Sequence, residues 1–279
     1  MGDRLIGGLS VREWGDPAEG GLLLWPGMGS TGAYFASFSR AVPWPSVAVD
    51  PPGSGGSAPL DPCTSDQLVE LARGVVDACA CRAVIGHSLG AYVAMGVAGN
   101  PPAGLRAAVL IDGGFLDADS FVELGMPAKA ERAELAAWMA ANELRFPDWD
   151  TAFRELAVMI GSEVTPVLEA YVRDAFVADD GEIRERARPE SMADLLLAVL
   201  DQDVRARAER IRIPTLLIAC GEPGERRAVR EKAWTHFAEA SDLIDLRVVE
   251  GWYHNPILQD PEGATSAIVR WLQPHLEGE

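Results

Sequence analysis

The chain has 279 residues, of which 48% are hydrophobic and 24% charged, which is ordinary for a globular protein. Its formal charge of −18 argues against a nucleic-acid partner and, more mildly, against anionic membranes, because phosphates would be repelled over most of the surface. No apolar run approaches the roughly 20 residues that a membrane span requires. The four cysteines lack the spacing of a zinc site, so we expect free thiols in a cytoplasmic protein.

Apolar runs typical of strands alternate with helical periodicity along most of the chain. This pattern predicts an α/β fold, in which helices flank a mostly parallel central sheet. The predicted strands lie at residues 21–25, 46–49, 82–85, 107–111, 215–220 and 246–249. Thr64 and Gln67 form a capping box ahead of one apolar stripe, and Asp260-Pro261-Glu262 predicts the start of a C-terminal helix.

The alternation stops between about residues 115 and 209, where helical stripes continue without a convincing strand. We therefore predict an all-helical cap (lid) at 115–209, inserted into a core formed by 1–114 and 210–279. Large apolar side chains of this cap are expected to shape a substrate pocket. The candidates are Trp138, Met139, Phe153 and Tyr171.

Residues 83–91 read as an apolar strand, a Gly-x-Ser-x-Gly turn and a helix rich in small residues. A sharp turn of this kind lifts a serine hydroxyl clear of the sheet, and Gly86 and Gly90 remove side chains that would collide across it. A serine becomes a good nucleophile only when its surroundings activate it. The pattern predicts Ser88 as the nucleophile and the Leu89 N–H as one donor to an oxyanion.

A serine nucleophile needs a general base, and histidine is the usual one near neutral pH. Among the four histidines, His254 follows a predicted strand, at the edge where open α/β sheets place their sites. We therefore predict His254 as the base. The turn Gly27-Met28-Gly29 after the first predicted strand supplies the Met28 N–H as the second oxyanion donor. A further glycine-rich turn at 50–57 lacks the lysine of a phosphate loop and is interpreted as structural.

Taken together, four motifs resemble the α/β-hydrolase superfamily over nearly the whole chain. They are the turn at 27–29, the Asp-x-x-Gly-x-Gly-x-Ser turn at 50–57, the elbow at 86–90, and His254 ahead of a Pro-Glu helix start. The resemblance implies an enzyme of the capped, serine-nucleophile branch, of esterase, thioesterase or lactonase type. It implies a small-molecule substrate and neither a metal nor an organic cofactor. Serine at position 88 argues against dehalogenase and epoxide hydrolase activities, whose enzymes carry aspartate there.

The chain departs from the superfamily pattern in two places. Pro26 precedes the oxyanion turn, where many relatives carry a His-Gly pair. The family's acid usually follows the penultimate strand as Gly-x-x-Asp, but here Gly224 stands in the aspartate position. The favoured acid is Asp112, which ends the strand at 107–111, since some superfamily members place their acid there. Glu222 and Glu225 are alternative acids, and a Ser-His dyad without an acid is a further alternative.

The predicted function is cleavage of an ester, thioester or lactone of a small, largely apolar molecule through an acyl-enzyme on Ser88. The altered acid loop and oxyanion turn leave an alternative: a lyase or cofactor-free oxygenase in which His254 abstracts a substrate proton. A non-catalytic ligand receptor on the same scaffold is a third hypothesis. The sequence makes no prediction about oligomeric state.

Overall fold

The computed structural model of the protein describes residues 4–16 and 20–277, so the predicted core segments 1–114 and 210–279 extend by a few residues outside the described part. The described residues form eleven strands. They are β1 Arg4–Ile6, β2 Leu9–Trp14, β3 Leu22–Trp25, β4 Ser46–Val49, β5 Ala83–His87, β6 Ala107–Ile111, β7 Arg145–Phe146, β8 Phe176–Asp179, β9 Glu182–Glu185, β10 Thr215–Gly221 and β11 Ile244–Glu250.

The same residues form twelve α-helices, and a short 3-10 helix covers Gly32–Phe35. The helices are α1 Ala36–Ala41, α2 Ser65–Ala78, α3 Leu89–Gly99, α4 Ala118–Glu123, α5 Arg132–Ala141, α6 Trp149–Met159, α7 Pro166–Ala175, α8 Pro189–Leu200, α9 Val204–Glu209, α10 Arg227–Ala238, α11 Pro256–Gln259 and α12 Pro261–Glu277. None of these described helices combines the length and the apolar character that a membrane crossing requires.

Eight strands form one central sheet in the order β1-β2-β4-β3-β5-β6-β10-β11. From β4 to β11 all neighbours are parallel, and every residue of β3, β4, β5, β6 and β10 is buried because helices cover both faces. All six predicted strands are present, so the predicted mostly parallel sheet flanked by helices is confirmed. The antiparallel edge formed by β1 and β2 was not predicted.

The helix starts follow the predicted capping signals. Thr64 accepts a hydrogen bond from the Gln67 N–H, and the Gln67 side chain accepts one from the Thr64 N–H, which completes the capping box of α2. The C-terminal helix begins at Pro261, as the Asp-Pro-Glu signal predicts. All four cysteines are free thiols, and burial raises the pKa of Cys63 to about 11.

The prediction of an all-helical insertion is wrong. The connecting segment, which we define as α4 to α9, also contains β7, β8 and β9, and these strands form a three-stranded antiparallel sheet. Asp179 pairs with Glu182, which leaves Asp180 and Gly181 as a two-residue turn, and both have positive φ, of 52° and 85°. That geometry is typical of the tight hairpin turns that Asp-Gly favours, so the hairpin has a local cause.

Candidate active site

The predicted site residues converge at the carboxyl ends of the central strands. Ser88 directly follows β5, Asp112 directly follows β6, and His254 lies in the loop between β11 and α11. Since β5 and β6 are parallel neighbours, their ends bring Ser88 and Asp112 to the same edge of the sheet. The structure thus brings together the predicted nucleophile, the predicted base and the favoured acid.

Ser88 sits on a tight turn with strained backbone. Its φ of 54° and ψ of −118° are unusual for a residue other than glycine. The turn closes because its neighbours carry no side chains: a Cβ on Gly86 would overlap the Gly90 carbonyl, and one on Gly90 would overlap the Trp25 carbonyl. The Ser88 N–H donates to the Ile111 carbonyl at 2.8 Å, which ties the turn to the neighbouring strand. The expected elbow geometry is present.

A chain of short hydrogen bonds runs through His254. Its Nε2 lies 2.9 Å from Ser88 Oγ, and its Nδ1 lies 2.7 Å from Asp112 Oδ2. Asp112 can only accept while it is ionised, so Nδ1 carries a proton and Nε2 is free to accept from the serine. The His254 side chain is 47% exposed whereas that of Asp112 is 1% exposed, so this series of hydrogen bonds runs from the protein surface to its interior.

Asp112 is an ionised carboxylate in a buried position. Its Oδ1 accepts from the Cys220 N–H at 2.9 Å and from the Arg230 guanidinium. Burial opposes the charge, but the hydrogen bond and charge of His254, together with Arg230 and the Cys220 N–H, outweigh it, so the pKa of Asp112 lies below its usual value. These donors hold both carboxylate oxygens in place.

The alternative acids lie apart from the histidine. The nearest cation to Glu222 is Arg230, whose Nη1 lies 3.8 Å from the Glu222 Oε2, and Glu225 is exposed on the loop after β10. Among the hydrogen bonds and ion pairs of the described residues, none joins either glutamate to His254. Gly224, in the aspartate position of the superfamily pattern, has a φ of 141°.

The predicted oxyanion turn lies against the elbow. A Cβ on Gly27 would lie 3.1 Å from Ser88 Cβ, so the turn that carries Met28 is adjacent to the serine. Leu89 is the first residue of α3, where an N–H has no acceptor within its own helix. One side chain of the connecting segment contacts the residue directly after the turn at 27–29: the Tyr171 hydroxyl donates to Ser30 Oγ at 3.1 Å.

An ion-paired carboxylate from the connecting segment contacts Thr31, two residues after this turn. The carboxylate of Asp174 in α7 accepts from Thr31 Oγ1 at 2.5 Å and from both terminal nitrogens of Arg12 at 2.8 and 2.9 Å. Asp50, at the start of the turn at 50–57, accepts from the Gly32 N–H at 2.8 Å. The turn at 50–57 is therefore joined to the 3-10 helix that follows the predicted oxyanion turn.

Two residues without a predicted role contact the hydrogen-bonded chain. His87 is buried, its Nε2–H donates to the His254 carbonyl at 2.7 Å, and its ring stacks on Tyr34 with centroids 4.5 Å apart. Burial lowers the pKa of His87 to about 3, so it stays neutral and holds the His254 loop. The second residue is Arg230, which contacts Asp112. His87 is the last residue of β5 and Arg230 lies within α10, and nothing in their local sequence pattern signals these contacts.

A cavity of about 730 Å³ opens beside Ser88 and His254. Its walls are mostly apolar, and the connecting segment contributes a large part of them. The apolar side chains are Met28, Leu89, Tyr92, Phe115, Leu116, Phe121, Leu124, Met126, Leu196 and Val199. The loop at 222–226 forms a polar rim.

The connecting segment lines the cavity, but not through the side chains that the sequence predicted. Trp138, Met139, Phe153 and Tyr171 are absent from the cavity lining among the described residues. Met139 and Phe153 are buried in separate apolar clusters, with Trp138 packed against the cluster that holds Met139, while Tyr171 contacts Ser30. Helical stripes locate buried faces, but they do not show which buried face meets a cavity.

Comparison with known proteins agrees with this geometry. The sequence model of the alpha/beta hydrolase family matches residues 22–267. The chain belongs to the alpha/beta hydrolase family. A search of curated proteins gives no match to this chain.

Solved structures with the same fold are distant in sequence. E-2-(acetamidomethylene)succinate hydrolase is 22% identical, with a TM-score of 0.75 and 95% of each chain covered. The thioesterase domain from the curacin biosynthetic pathway is 18% identical, with a TM-score of 0.73 over 96% of this chain and 98% of that one. The enol-lactonase from Burkholderia xenovorans is 17% identical, with a TM-score of 0.65 over 98% and 100%. At these identities the likeness shows the α/β-hydrolase fold.

Proposed function

We propose that this protein is a serine hydrolase that cleaves an ester, thioester or lactone of a small, largely apolar molecule. Ser88, His254 and Asp112 form its catalytic triad. The observation that carries the proposal is the continuous hydrogen-bonded chain, with 2.9 Å from Ser88 Oγ to His254 Nε2 and 2.7 Å from His254 Nδ1 to Asp112 Oδ2. These distances lie within the range that proton transfer between a nucleophile and its base requires.

In the proposed reaction, Ser88 Oγ attacks the substrate carbonyl while His254 Nε2 takes its proton. The N–H groups of Met28 and Leu89 stabilise the resulting oxyanion. The intermediate collapses to an acyl-enzyme as His254 returns the proton to the leaving alcohol or thiol, and water then hydrolyses the acyl-enzyme by the same steps. Asp112 keeps the His254 Nδ1 protonated and stabilises the imidazolium that forms.

The cavity supports the substrate class. A volume of about 730 Å³ with mostly apolar walls fits a small acyl group rather than a polymer, and the connecting segment acts as the lid over it. The names of three structural neighbours also agree with acyl chemistry: a mycobacterial esterase, the curacin thioesterase domain and the enol-lactonase. Their low identity leaves the choice of acyl group to experiment.

Covalent labelling with a fluorophosphonate probe tests the proposal, because the probe reacts with an activated serine. We expect labelling of the wild type and of Ser266→Ala, which removes an exposed serine on α12, and loss of labelling in Ser88→Ala. Equal labelling of wild type and Ser88→Ala would contradict the nucleophile assignment. Residual turnover in Ser88→Ala together with an inactive His254→Ala would favour the lyase or oxygenase alternative.

A further inference from the structure

Arg230 contacts the acid of the proposed triad and also lines the cavity beside Ser88 and His254. It lies on α10, its side chain is 14% exposed, and its Nη2 donates to Asp112 Oδ1, the oxygen that does not face His254. Its guanidinium carbon also lies 5.9 Å from the centre of the Trp234 ring, so the Arg230 side chain packs over this ring. Asp112 therefore has a fixed cation on one oxygen and the histidine on the other.

Apart from Arg230 and His254, the titratable groups around Asp112 are uncharged near pH 7. Those that face it from the surrounding elements are the Cys220 thiol, His87, Tyr34 and Tyr92. Burial raises the pKa of both tyrosines and of Cys220, and it lowers that of His87, so all four are neutral near pH 7. Glu222 lies beyond Arg230 and is 40% exposed. Arg230 is therefore the cation that directly balances the buried carboxylate.

The positive charge of Arg230 beside Asp112 affects how strongly Asp112 and His254 bind a proton. A buried carboxylate without a counter-charge would attract a proton strongly, either onto itself or onto His254. A protonated His254 cannot accept the Ser88 proton. A cation beside the carboxylate weakens that attraction but leaves the carboxylate able to accept from Nδ1.

We propose that Arg230 is a positioning residue that keeps Asp112 ionised and aimed at His254. This inference rests on the proposed function, since it assigns the base and the acid to His254 and Asp112. Arg230 acts through Asp112, and its effect is therefore on the pH dependence of the reaction as well as on its rate.

The test is the pH profile of kcat/KM for p-nitrophenyl butyrate between about pH 4 and 9. Removing a positive charge raises the affinity of its neighbours for protons. Arg230 lowers the pKa of Asp112, and Asp112 is hydrogen-bonded to His254, so the two groups titrate as a pair. We therefore expect the acid limb of Arg230→Met to move to higher pH by about one unit. Arg230→Lys keeps the charge, and its acid limb should stay at the wild-type pH.

Arg230→Gln is the second neutral variant. Its amide can still donate to Asp112, so it retains part of the packing if Arg230→Met folds poorly, and its acid limb should also move upwards. Arg205→Met is the matched control. Arg205 lies on α9 and donates to the carbonyl of His236 on α10, the helix that carries Arg230, at 3.0 Å. Its carboxylate partner is Glu209 on the surface. We expect its acid limb to coincide with that of the wild type.

The outcomes separate the two proposals. Fluorophosphonate labelling of wild-type Ser88 with an unchanged acid limb in both neutral variants would overturn the role of Arg230 alone. A uniform loss of rate at every pH would likewise reduce Arg230 to a purely structural residue. Failure of the probe to label wild-type Ser88 would overturn the proposed function, and this inference with it.

Discussion

The carboxyl edge of the central sheet and the connecting segment border the same cavity, but different kinds of residue define them. At the edge, Ser88 and Asp112 have positive φ, and Gly86 and Gly90 leave no space for a Cβ. In the connecting segment, cavity-lining residues such as Leu124 are only half-buried. The comparison indicates that backbone geometry fixes the proposed catalytic groups, whereas apolar side chains at positions without such backbone constraints shape the cavity.

The largest expected effect sharpens the first half of this comparison. Asp112→Asn keeps the shape of the side chain but lets the amide donate to His254 Nδ1, which favours the wrong tautomer. We expect kcat for p-nitrophenyl butyrate to fall by roughly 10⁴-fold. Glu222→Gln is the matched change in the alternative acid loop, and it should lower kcat by less than about tenfold. A larger loss in Glu222→Gln than in Asp112→Asn would transfer the acid role to the loop.

A glycine at the sheet edge tests whether the backbone there tolerates any side chain. A Cβ on Gly90 would overlap the Trp25 carbonyl, so Gly90→Ala should lower the free energy of unfolding by about 3 kcal/mol, as overpacking does. Gly74→Ala is the control, because Gly74 lies within α2 with nothing near its missing Cβ, and alanine there should stabilise by up to about 1 kcal/mol. Urea unfolding monitored by circular dichroism measures both. Equal midpoints would contradict the close packing of the elbow.

The connecting segment should instead respond through substrate choice. Leu124 lines the cavity and is half-buried, so Leu124→Trp fills part of the cavity without disturbing a packed core. We expect the ratio of kcat/KM for p-nitrophenyl octanoate to that for the acetate to fall about tenfold, the scale that a few apolar contacts supply. Val158→Trp changes an exposed residue of α6 and should leave this ratio unchanged. A ratio that stays at the wild-type value in Leu124→Trp would place the acyl group elsewhere.

The sequence predicted the sheet edge better than the connecting segment for a physical reason. Ser88, His254 and Met28 belong to local motifs in which backbone geometry demands particular residues at fixed spacing, and the structure places them together. Arg230 was not predicted because its contact with Asp112 depends on how α10 packs, and one sequence does not show that. The prediction of the cavity lining was wrong for the same reason, because an apolar stripe does not show whether it packs against another helix or faces a cavity.

The missed strands are a different case, because their signals were local and readable. The hairpin of β1 and β2 turns at Gly7-Gly8, and that of β8 and β9 turns at Asp180-Gly181, with positive φ at every one of these four positions. Gly-Gly and Asp-Gly are among the dipeptides that favour two-residue hairpin turns. Their flanking strands are three to six residues long, too short for alternation to stand out from the helical stripes nearby.

The smallest expected effect tests whether the hairpin of β8 and β9 affects stability alone and not activity. Gly181 has a φ of 85° and open space where a Cβ would stand, so Gly181→Ala introduces backbone strain without a clash. We expect a loss of about 1 kcal/mol in the free energy of unfolding and a smaller loss for Gly181→Asn, because asparagine tolerates positive φ better than alanine does. Since the hairpin lies outside the cavity lining, kcat/KM should stay at the wild-type value in both variants. A fall in kcat/KM that follows the loss of stability would show that the hairpin strands help to hold the substrate space, and the division between the two regions would then be wrong.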